Sequence, residues 1–528
     1  MIKILVSDPL SEEGLKILKD VKELQVDVKT ELKPEALKEA IKDYDALIVR
    51  SATKVTKDII AAAVNLKAIG RAGVGLDNVD LEAATQKGII VMNTPTGNTI
   101  STAEHTMSMI LALSRNIPQA NTSTKKGEWK RSKFMGVEIY DKVLGIVGLG
   151  KIGSELARRA LSFGMKVLAY DPFLSRKAAE SMGIEIVELK ELLERSDYIS
   201  VHTPLTEETR HMISDAQFGL MKKGVRVINC ARGGIIDETA LIKAIKDGKV
   251  AGAAMDVFEK EPVSPESELL KLENVVVTPH LGASTEEAQV NVAIVVAEIV
   301  RDALLGKGIR NAANYPCVEA DVCKILDPYI NLAEKMGMFS GQLAEGRFEQ
   351  LDITYSGQIT QYDLSTLTMA LAKGILSPIL KETVNFINAI SLAKERGIKI
   401  KESKSSKEEE FVNLIGLEIT TDKETRSIYG TLSPNKQPRI VKIDNYYVEI
   451  SPAGELIFIQ NWDRSGIIGN LGTILGKHNI NIAAMTFGRE KPEGKAITVL
   501  NVDSQVSAQA LDKIKNTENI LEVKVIRI

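Results

Sequence analysis

Hydrophobic and polar positions alternate along the first part of the chain in two similar series. Short apolar runs at residues 3–6, 46–49 and 88–91 are separated by amphipathic stretches such as 11–18. Apolar strands separated by helices are typical of parallel α/β structure, in which crossover helices cover the sheet. A long amphipathic stretch at 101–115 leads into a second series, from 142 to about 279. The pattern therefore predicts two parallel-sheet units, Rossmann-like or flavodoxin-like.

From about residue 284 the chain follows other patterns of hydrophobic and polar residues. The stretch 284–305 predicts a long helix that returns to the first unit, so that a cleft forms between the two. A third, α+β region to about 450 is predicted to have helices at 327–336 and 384–396, strands at 347–355 and 410–420, and a charged loop at 401–410. From 455 the predicted order is βαββαβ, typical of a ferredoxin-like module. The predicted domains are 1–98 with 286–314, 99–285, 315–453 and 454–528.

Length, charge, apolar segments and cysteine spacing disfavour several classes of function. A chain of 528 residues is too long for one core. Its 67 basic and 70 acidic residues are interspersed, which disfavours a nucleic-acid partner. No apolar segment approaches the roughly 20 residues that span a bilayer, and residues 1–8 resemble a first strand more than a signal peptide. Cys230, Cys317 and Cys323 have no metal-ligand spacing, so we expect reduced thiols, no metal and a cytoplasmic protein.

A glycine motif predicts a dinucleotide site. Gly148, Gly150 and Gly153 follow the apolar run 144–147 and open a predicted helix, with Lys151 and Ile152 between them. In this context the glycines allow a tight turn, close approach of a pyrophosphate and close packing of helix on strand. The next predicted strand ends at Asp171, where a carboxylate would bind the adenosine ribose and repel a 2′-phosphate. NAD is therefore predicted over NADP.

Three candidate catalytic residues follow neighbouring predicted strands of the same series. Arg232, Glu261 and His280 each come shortly after an apolar run, so they should meet at one edge of the sheet. A histidine can act as base and acid near neutrality, a carboxylate can orient it, and an arginine suits a substrate carboxylate. Taken singly, each residue has a structural explanation. The arginine could form a surface ion pair, the glutamate could belong to a turn, and the histidine could be buried with both ring nitrogens hydrogen-bonded. Together they favour hydride transfer at an alcohol carbon.

The chain resembles the D-isomer-specific 2-hydroxyacid dehydrogenases over nearly its whole length. The motifs that carry the resemblance are at 50–55, 70–80, 98–104 and 256–262. The resemblance implies that Arg232, Glu261 and His280 are catalytic and that the discontinuous first domain binds substrate through the Gly73, Val74 and Gly75 amides. Further residues implied at the cofactor are Thr203, Asp256 and Gly282.

The implied reaction is oxidation of 3-phosphoglycerate to 3-phosphohydroxypyruvate with NAD, the first step of serine biosynthesis. A phosphate needs cations, for which Arg50, Arg71 and Arg131 are the candidates, although each could be a solvated surface arginine. Trp129 looks like the aromatic residue that contacts a neighbouring subunit in the family. A homo-oligomer, a tetramer built from dimers, is expected on that resemblance.

The last module resembles an ACT domain, which binds an amino acid. L-serine would be the effector, with Asn461, Asp463 and Asn481 as candidate contacts. Asn461 stands where the family pattern has His or Tyr, and Ser465 stands where it has Pro, before Gly466. The third region resembles the intervening domain of long members of the family, in which Asn385, Lys394 and Arg396 are candidate anion contacts.

Three other functions are compatible with parts of the sequence. A short hydroxyacid dehydrogenase or glyoxylate/hydroxypyruvate reductase would share the first two domains but generally lacks the C-terminal modules. A non-catalytic NAD-dependent sensor would tolerate loss of the three candidate catalytic residues, which are present here. A third interpretation makes the chain mainly an amino-acid-binding regulator.

Overall fold

The first sheet has five parallel strands in the order β2-β1-β3-β4-β5. The computed structural model describes residues 1–174, 176–316, 320–380, 384–405 and 411–528. The strands are β1 (Ile2–Val6), β2 (Leu24–Val28), β3 (Ala46–Val49), β4 (Ala68–Arg71) and β5 (Ile90–Met92), with helices α1 (Glu12–Lys19), α2 (Pro34–Ala40), α3 (Lys57–Ala62) and α4 (Leu81–Gln86). All four residues of β3 are buried, because helices cover both faces of the sheet.

Two long helices and one shorter helix connect the units. These are α5 (Thr99–Arg115), α6 (Ile117–Lys125) and, after the second sheet, α12 (Glu286–Leu304). α12 begins where the Thr285 hydroxyl accepts a hydrogen bond from the Ala288 amide. It lies against α1 so closely that a Cβ on Gly14 would stand 2.7 Å from the Ala293 carbonyl oxygen. The predicted return helix therefore packs on the first sheet.

The second sheet has seven parallel strands in the order β12-β11-β10-β9-β6-β7-β8. Its strands are β6 (Val143–Val147), β7 (Lys166–Tyr170), β8 (Glu185–Ile186), β9 (Tyr198–Val201), β10 (Val225–Asn229), β11 (Val250–Met255) and β12 (Val275–Val277). Its helices are α7 (Lys151–Ser162), α8 (Arg176–Glu180), α9 (Leu189–Arg195), α10 (Asp215–Leu220) and α11 (Glu238–Lys246). The strand order reverses between β6 and β9, where a doubly wound sheet binds its ligand.

The third sheet has six strands in the order β14-β13-β15-β16-β17-β18. This region contains α13 (Ala320–Leu343), β13 (Phe348–Gly357), α14 (Ser365–Leu376), α15 (Ala389–Glu395), β14 (Lys399–Ser405), β15 (Asn413–Thr421), β16 (Thr425–Leu432), β17 (Pro438–Ile443) and β18 (Tyr446–Ile450). The loop predicted at 401–410 is wrong for its first half, because β14 pairs in parallel with β13. β14 is a charged edge strand whose backbone pairing needs no apolar side chains. Residues 406–410 and Cys317 lie outside the described residues.

The fourth sheet is antiparallel, in the order β20-β21-β19-β22. The elements are β19 (Glu455–Trp462), α16 (Ile467–Lys477), β20 (Ile482–Arg489), β21 (Lys495–Val502), α17 (Ala508–Lys515) and β22 (Ile520–Arg527). This order confirms the ferredoxin-like module, and with it the predicted fold class. Its residues Leu456, Phe458 and Ile526 share one core with Met336 and Phe339 of α13. Across the described ranges, no helix combines the length and apolar content needed to cross a membrane.

Candidate active site

The glycine loop lies between β6 and α7, as the sequence predicts. Gly148 has φ 95°, and a Cβ there would stand 2.8 Å from the His202 carbonyl oxygen. A Cβ on Gly153 would stand 2.3 Å from the Gly148 carbonyl oxygen, so the helix packs directly on the turn. Nothing lies within 4 Å of a Cβ position on Gly150, which precedes the first helical residue. This open space beside a helix N-terminus fits a pyrophosphate.

Asp171 follows β7 and contacts the glycine loop. Its Oδ2 accepts a hydrogen bond from the Leu149 amide at 2.9 Å, and its Oδ1 accepts one from the Phe173 amide at 2.9 Å. Each carboxylate oxygen has further acceptor capacity for a ribose hydroxyl. Next to these residues, Lys151 is exposed and Ile152 is partly buried at the start of α7.

Two polar atoms beside the glycine loop are buried without a protein partner. They are Thr203 Oγ1 and His202 Nδ1. The other ring nitrogen of His202 contacts Ser200 Oγ at 2.8 Å. Burial lowers the pKa of His202 to about 4, so its ring is neutral at pH 7. Because buried polar atoms normally have partners, these two atoms fit a site in which a bound molecule supplies them.

His280 and Glu261 form a direct pair. His280 Nδ1 lies 2.8 Å from Glu261 Oε2, and the two side chains are 48% and 38% exposed. Glu261 Oε1 accepts a hydrogen bond from the Phe258 amide at 3.0 Å. Burial raises the pKa of Glu261, but the His280 and Phe258 hydrogen bonds outweigh it and hold this pKa below 4.5. The carboxylate is therefore ionised and faces a ring that remains accessible.

Arg232 lies across from the first sheet. Its Nε donates to Asp77 Oδ2 at 3.1 Å, and a Cβ on Gly75 would stand 2.1 Å from its Nη2. The Arg232 guanidinium therefore lies directly over the backbone at Gly75, while the neighbouring Gly73 is covered by the Arg71 guanidinium. Sequence reasoning missed Asp77, although it lies within one of the quoted motifs.

A cleft of about 760 Å³ lies between the two parallel sheets. Its lining includes Arg50, Arg71, Gly73, Glu261 and His280. The Arg71 Nε is buried without a partner. Burial, followed by the nearby charge of Arg232, lowers the pKa of Arg71 from 12.5 to about 10. Among the residues that the structure describes, Arg50 and Arg71 form no ion pair, so the cleft holds available cationic groups beside a histidine–carboxylate pair.

Asp256 lies behind the cleft and is fully buried. It accepts hydrogen bonds from the amides of Leu281 and Gly282, at 2.7 and 2.9 Å. Its Oδ1 also lies 3.1 Å from His105 Nε2. Burial raises the pKa of Asp256, but hydrogen bonds from His105, Thr278 and Leu281 outweigh it and hold this pKa below 3.8. The amphipathic pattern at 101–115 did not single out His105, because its position in a helix carries no sign of a partner on another segment.

Arg131 and Trp129 lie outside the cleft of their own chain. Arg131 begins a short 3-10 helix and is exposed, and Trp129 is 81% exposed. Met135 and Tyr140 nearby are 83% and 72% exposed. A group of large exposed apolar side chains is typical of a protein–protein contact.

The candidate effector residues differ in exposure. Asn461 is fully buried and donates to the Trp462 carbonyl at 2.8 Å. Asp463 accepts a hydrogen bond from Arg489 at 2.9 Å, while the exposed Asn481 donates to Asp503 at 2.6 Å. In the third region, the candidate Asn385 donates to the Gly88 carbonyl of the first sheet's domain at 2.9 Å.

Three family models match separate parts of the chain. They describe the D-isomer specific 2-hydroxyacid dehydrogenase NAD binding domain at 107–282, the D-3-phosphoglycerate dehydrogenase intervening domain at 325–444 and the ACT domain at 456–519. With the glycine loop and the cleft, these matches define the class of protein as an NAD-dependent oxidoreductase acting on 2-hydroxyacids, with two additional C-terminal domains.

Relatives that match the full chain narrow this class. The chain is 47% identical to a D-3-phosphoglycerate dehydrogenase of Methanocaldococcus jannaschii, with 100% of both chains covered. It is 46% identical to the Synechocystis enzyme of the same name, covering 100% of this chain and 95% of the relative. A solved D-lactate dehydrogenase of Aquifex aeolicus, complexed with NAD and lactic acid, is 32% identical with TM-score 0.52, covering 60% of this chain and 99% of that one. The chain belongs to the D-3-phosphoglycerate dehydrogenase family, which confirms the resemblance predicted from its motifs.

Proposed function

We propose that the chain oxidises the C2 hydroxyl of 3-phosphoglycerate to a ketone in the cleft between the two parallel sheets. The observation that carries the proposal is the accessible His280–Glu261 pair, 2.8 Å apart, in the same cleft as the partnerless Arg71 Nε. A base that takes a proton and cations that bind an anionic substrate are the two requirements of this reaction.

The proposed proton acceptor is His280. As the C2 hydroxyl is oxidised, its proton moves to Nε2, the ring nitrogen not engaged by Glu261. The ionised Glu261 then faces a positively charged imidazolium and stabilises it. This arrangement fits a base that must become an acid in the reverse direction.

The substrate's two anionic groups have separate candidate partners. Arg232, over the backbone at Gly75, suits the planar carboxylate, which can also accept hydrogen bonds from the Val74 and Gly75 amides. The third predicted donor, the Gly73 amide, donates to the Arg71 carbonyl at 2.9 Å. Arg50 and Arg71 line the same cleft and suit the phosphate. Arg50 is held through its amide, which donates to Asp8 Oδ2 at 2.6 Å, so its backbone is fixed while the guanidinium reaches Pro9 and solvent.

NAD fits the residues of the second sheet. The glycine loop would hold its pyrophosphate and Asp171 its ribose, with Thr203 beside this loop. The buried Asp256 would act indirectly, through its hydrogen bonds to the Leu281 and Gly282 amides of the loop that carries His280. The oxidising equivalent would come from bound NAD, by hydride transfer from C2. The Asp171 carboxylate would repel a 2′-phosphate, which accounts for NAD over NADP.

The test is NADH formation from 3-phosphoglycerate by wild type and by His280→Ala. We expect the variant to lose at least about 100-fold in kcat, the usual size of a general-base contribution. His211→Ala is the matched control, since His211 also contacts a glutamate, Glu259 at 3.1 Å, with similar exposure but outside the cleft. Equal rates on lactate or glycerate would refute the phosphate-specific function, and a full rate for His280→Ala would refute the proton-transfer role.

For the ACT domain, we propose L-serine as an inhibitor bound near Asp463 and Asn481. The exposed Asn481 and the partly exposed Asp463 support this assignment, whereas the buried Asn461 would act by shaping the strand end. Isothermal titration with L-serine, alongside the NADH-forming assay, tests it, with D-serine as the control. Absence of both heat and inhibition would refute serine regulation.

The chain is also proposed to form a tetramer built from dimers. The exposed Trp129, Met135 and Tyr140 supply an apolar contact surface, and Arg131 beside it would reach the cleft of a partner subunit. Sedimentation analysis of wild type and Trp129→Glu tests this assembly. A wild-type monomer would refute it.

A further inference from the structure

Helix α5 holds the loop that carries His280. The hydroxyls of Ser101 and Thr102, in the first turn of α5, donate to the Gly282 carbonyl at 2.7 and 3.1 Å. His105, one turn further along, lies with its Nε2 3.1 Å from Asp256 Oδ1. Ser101 and Thr102 therefore hold the Gly282 end of the loop 278–282. On the same face of α5, His105 contacts Asp256, to which this loop is hydrogen-bonded.

The loop itself is tied to Asp256. Asp256 Oδ2 accepts a hydrogen bond from the Gly282 amide, while Oδ1 accepts one from the Leu281 amide and one from the Thr278 hydroxyl at 2.6 Å. His105 is the remaining donor on this carboxylate and is only 19% exposed. Because an ionised carboxylate has no proton to give, the His105 Nε2 must carry the proton of this contact.

The backbone of His280 needs such support. Its φ is 56°, in the left-handed region that residues with a side chain rarely adopt. Its amide donates to the Asp256 carbonyl at 2.8 Å, so Asp256 contacts the loop through both its backbone and its side chain. A conformation of this kind persists only where surrounding contacts hold it.

We propose that His105 is a positioning residue for the dehydrogenation: acting through Asp256, it fixes the loop 278–282 and so the placement of the His280 ring. The inference rests on the proposed function of His280. His105 itself does not take the substrate proton, since its Nε2 is occupied by Asp256 and lies 3.2 Å from the Thr278 hydroxyl.

The first test replaces the donor. His105→Leu should lower kcat by about 10- to 100-fold, the effect expected when a reacting group is misplaced by an ångström or less. His105→Gln, which keeps a donor, should recover most of this loss, and KM for NAD should stay unchanged in both. Ser108→Ala is the control on the same helix, because its exposed hydroxyl only bonds Glu104 within α5. If the Leu variant fails to fold, His105→Asn, with its donor on a shorter side chain, replaces it.

The second test separates positioning from a general structural effect. In a His280→Ala background, His105→Leu should cause no further loss of single-turnover rate, because there is no ring left to position. An equal loss in both backgrounds would overturn the proposal, as would a higher KM for NAD with unchanged kcat. A His280→Ala enzyme with full rate would instead refute the proposed proton-transfer role of His280, so the two failures are distinguishable.

Discussion

Removing the charge of Arg71 should weaken substrate binding without weakening the fold. The guanidinium is partly buried, its Nε has no partner, and Arg232 adds a like charge nearby. Burial and the like charge of Arg232 both disfavour the charged form of Arg71 in the free enzyme. The proposed phosphate would supply the missing acceptor, so the side chain is suited to the complex more than to the empty cleft. The perturbation is Arg71→Gln, which removes the charge and shortens the side chain.

The size of the effect follows from the depressed pKa of Arg71. A fall from 12.5 to about 10 corresponds to roughly 3 kcal/mol against the charged form, as an upper bound. The variant is relieved of this cost but loses packing of the aliphatic stem, about 1–2 kcal/mol. We therefore expect the free energy of unfolding to stay level or rise slightly. Loss of a charge-assisted hydrogen bond, about 1.5–3 kcal/mol, should lower kcat/KM by roughly 10- to 100-fold.

Urea denaturation and steady-state kinetics with 3-phosphoglycerate together provide the assay. Arg301→Gln is the control, since Arg301 is 27% exposed and donates twice to Asp302, at 3.0 and 2.8 Å. That variant should lose stability and keep its kinetics. The reasoning is refuted if Arg71→Gln loses more stability than Arg301→Gln and retains the wild-type kcat/KM.

Three further predictions follow from single contacts. Glu261→Gln should lower kcat roughly 10- to 100-fold with little change in KM, because an amide cannot stabilise a charged His280; an unchanged kcat would contradict this. Asp256 has a pKa depressed below 3.8, so its stabilisation should be fully present above about pH 4 and lost as the pH falls below that value toward the folded pKa; urea denaturation from pH 6 to 3 should show a steeper loss for wild type than for Asp256→Asn at the acid end of this range. Asn385→Ala should speed hydrogen exchange around Gly88 with unchanged kcat, and unaltered exchange would show that this contact contributes nothing.

The fold was largely predictable because its strands are buried on both faces and separated by amphipathic helices. The βαββαβ order predicted from residue 455 is the observed one, with its two helices at 467–477 and 508–515. The prediction failed at β14, where an edge strand is stabilised by backbone pairing with β13 and its side chains carry no apolar pattern. The helix predicted from 384 begins only at Ala389, because Asn385 and Asn388 bond each other's backbone in a turn before it.

The candidate catalytic residues could be predicted because parallel strands bring their carboxyl ends to one edge of a sheet. This rule led to Glu261 and His280, which the structure places 2.8 Å apart. It could not lead to His105, whose importance depends on a contact with Asp256 across 151 residues of chain. A histidine in an amphipathic helix carries no local sign of such a partner.

The two histidine–carboxylate pairs at the cleft, His280–Glu261 and His105–Asp256, show how exposure to the cleft separates a catalytic pair from a supporting one. His280 and Glu261 are 48% and 38% exposed, so the ring can meet a substrate and exchange a proton with it. In the other pair, the His105 side chain is 19% exposed and that of Asp256 is 1% exposed, and backbone amides take up the remaining carboxylate acceptors. Because its hydrogen-bond acceptors are already taken, the His105–Asp256 pair can hold the loop 278–282 but has no accessible atom for a substrate. The same two residue types thus serve proton transfer where the cleft is open and positioning where it is closed.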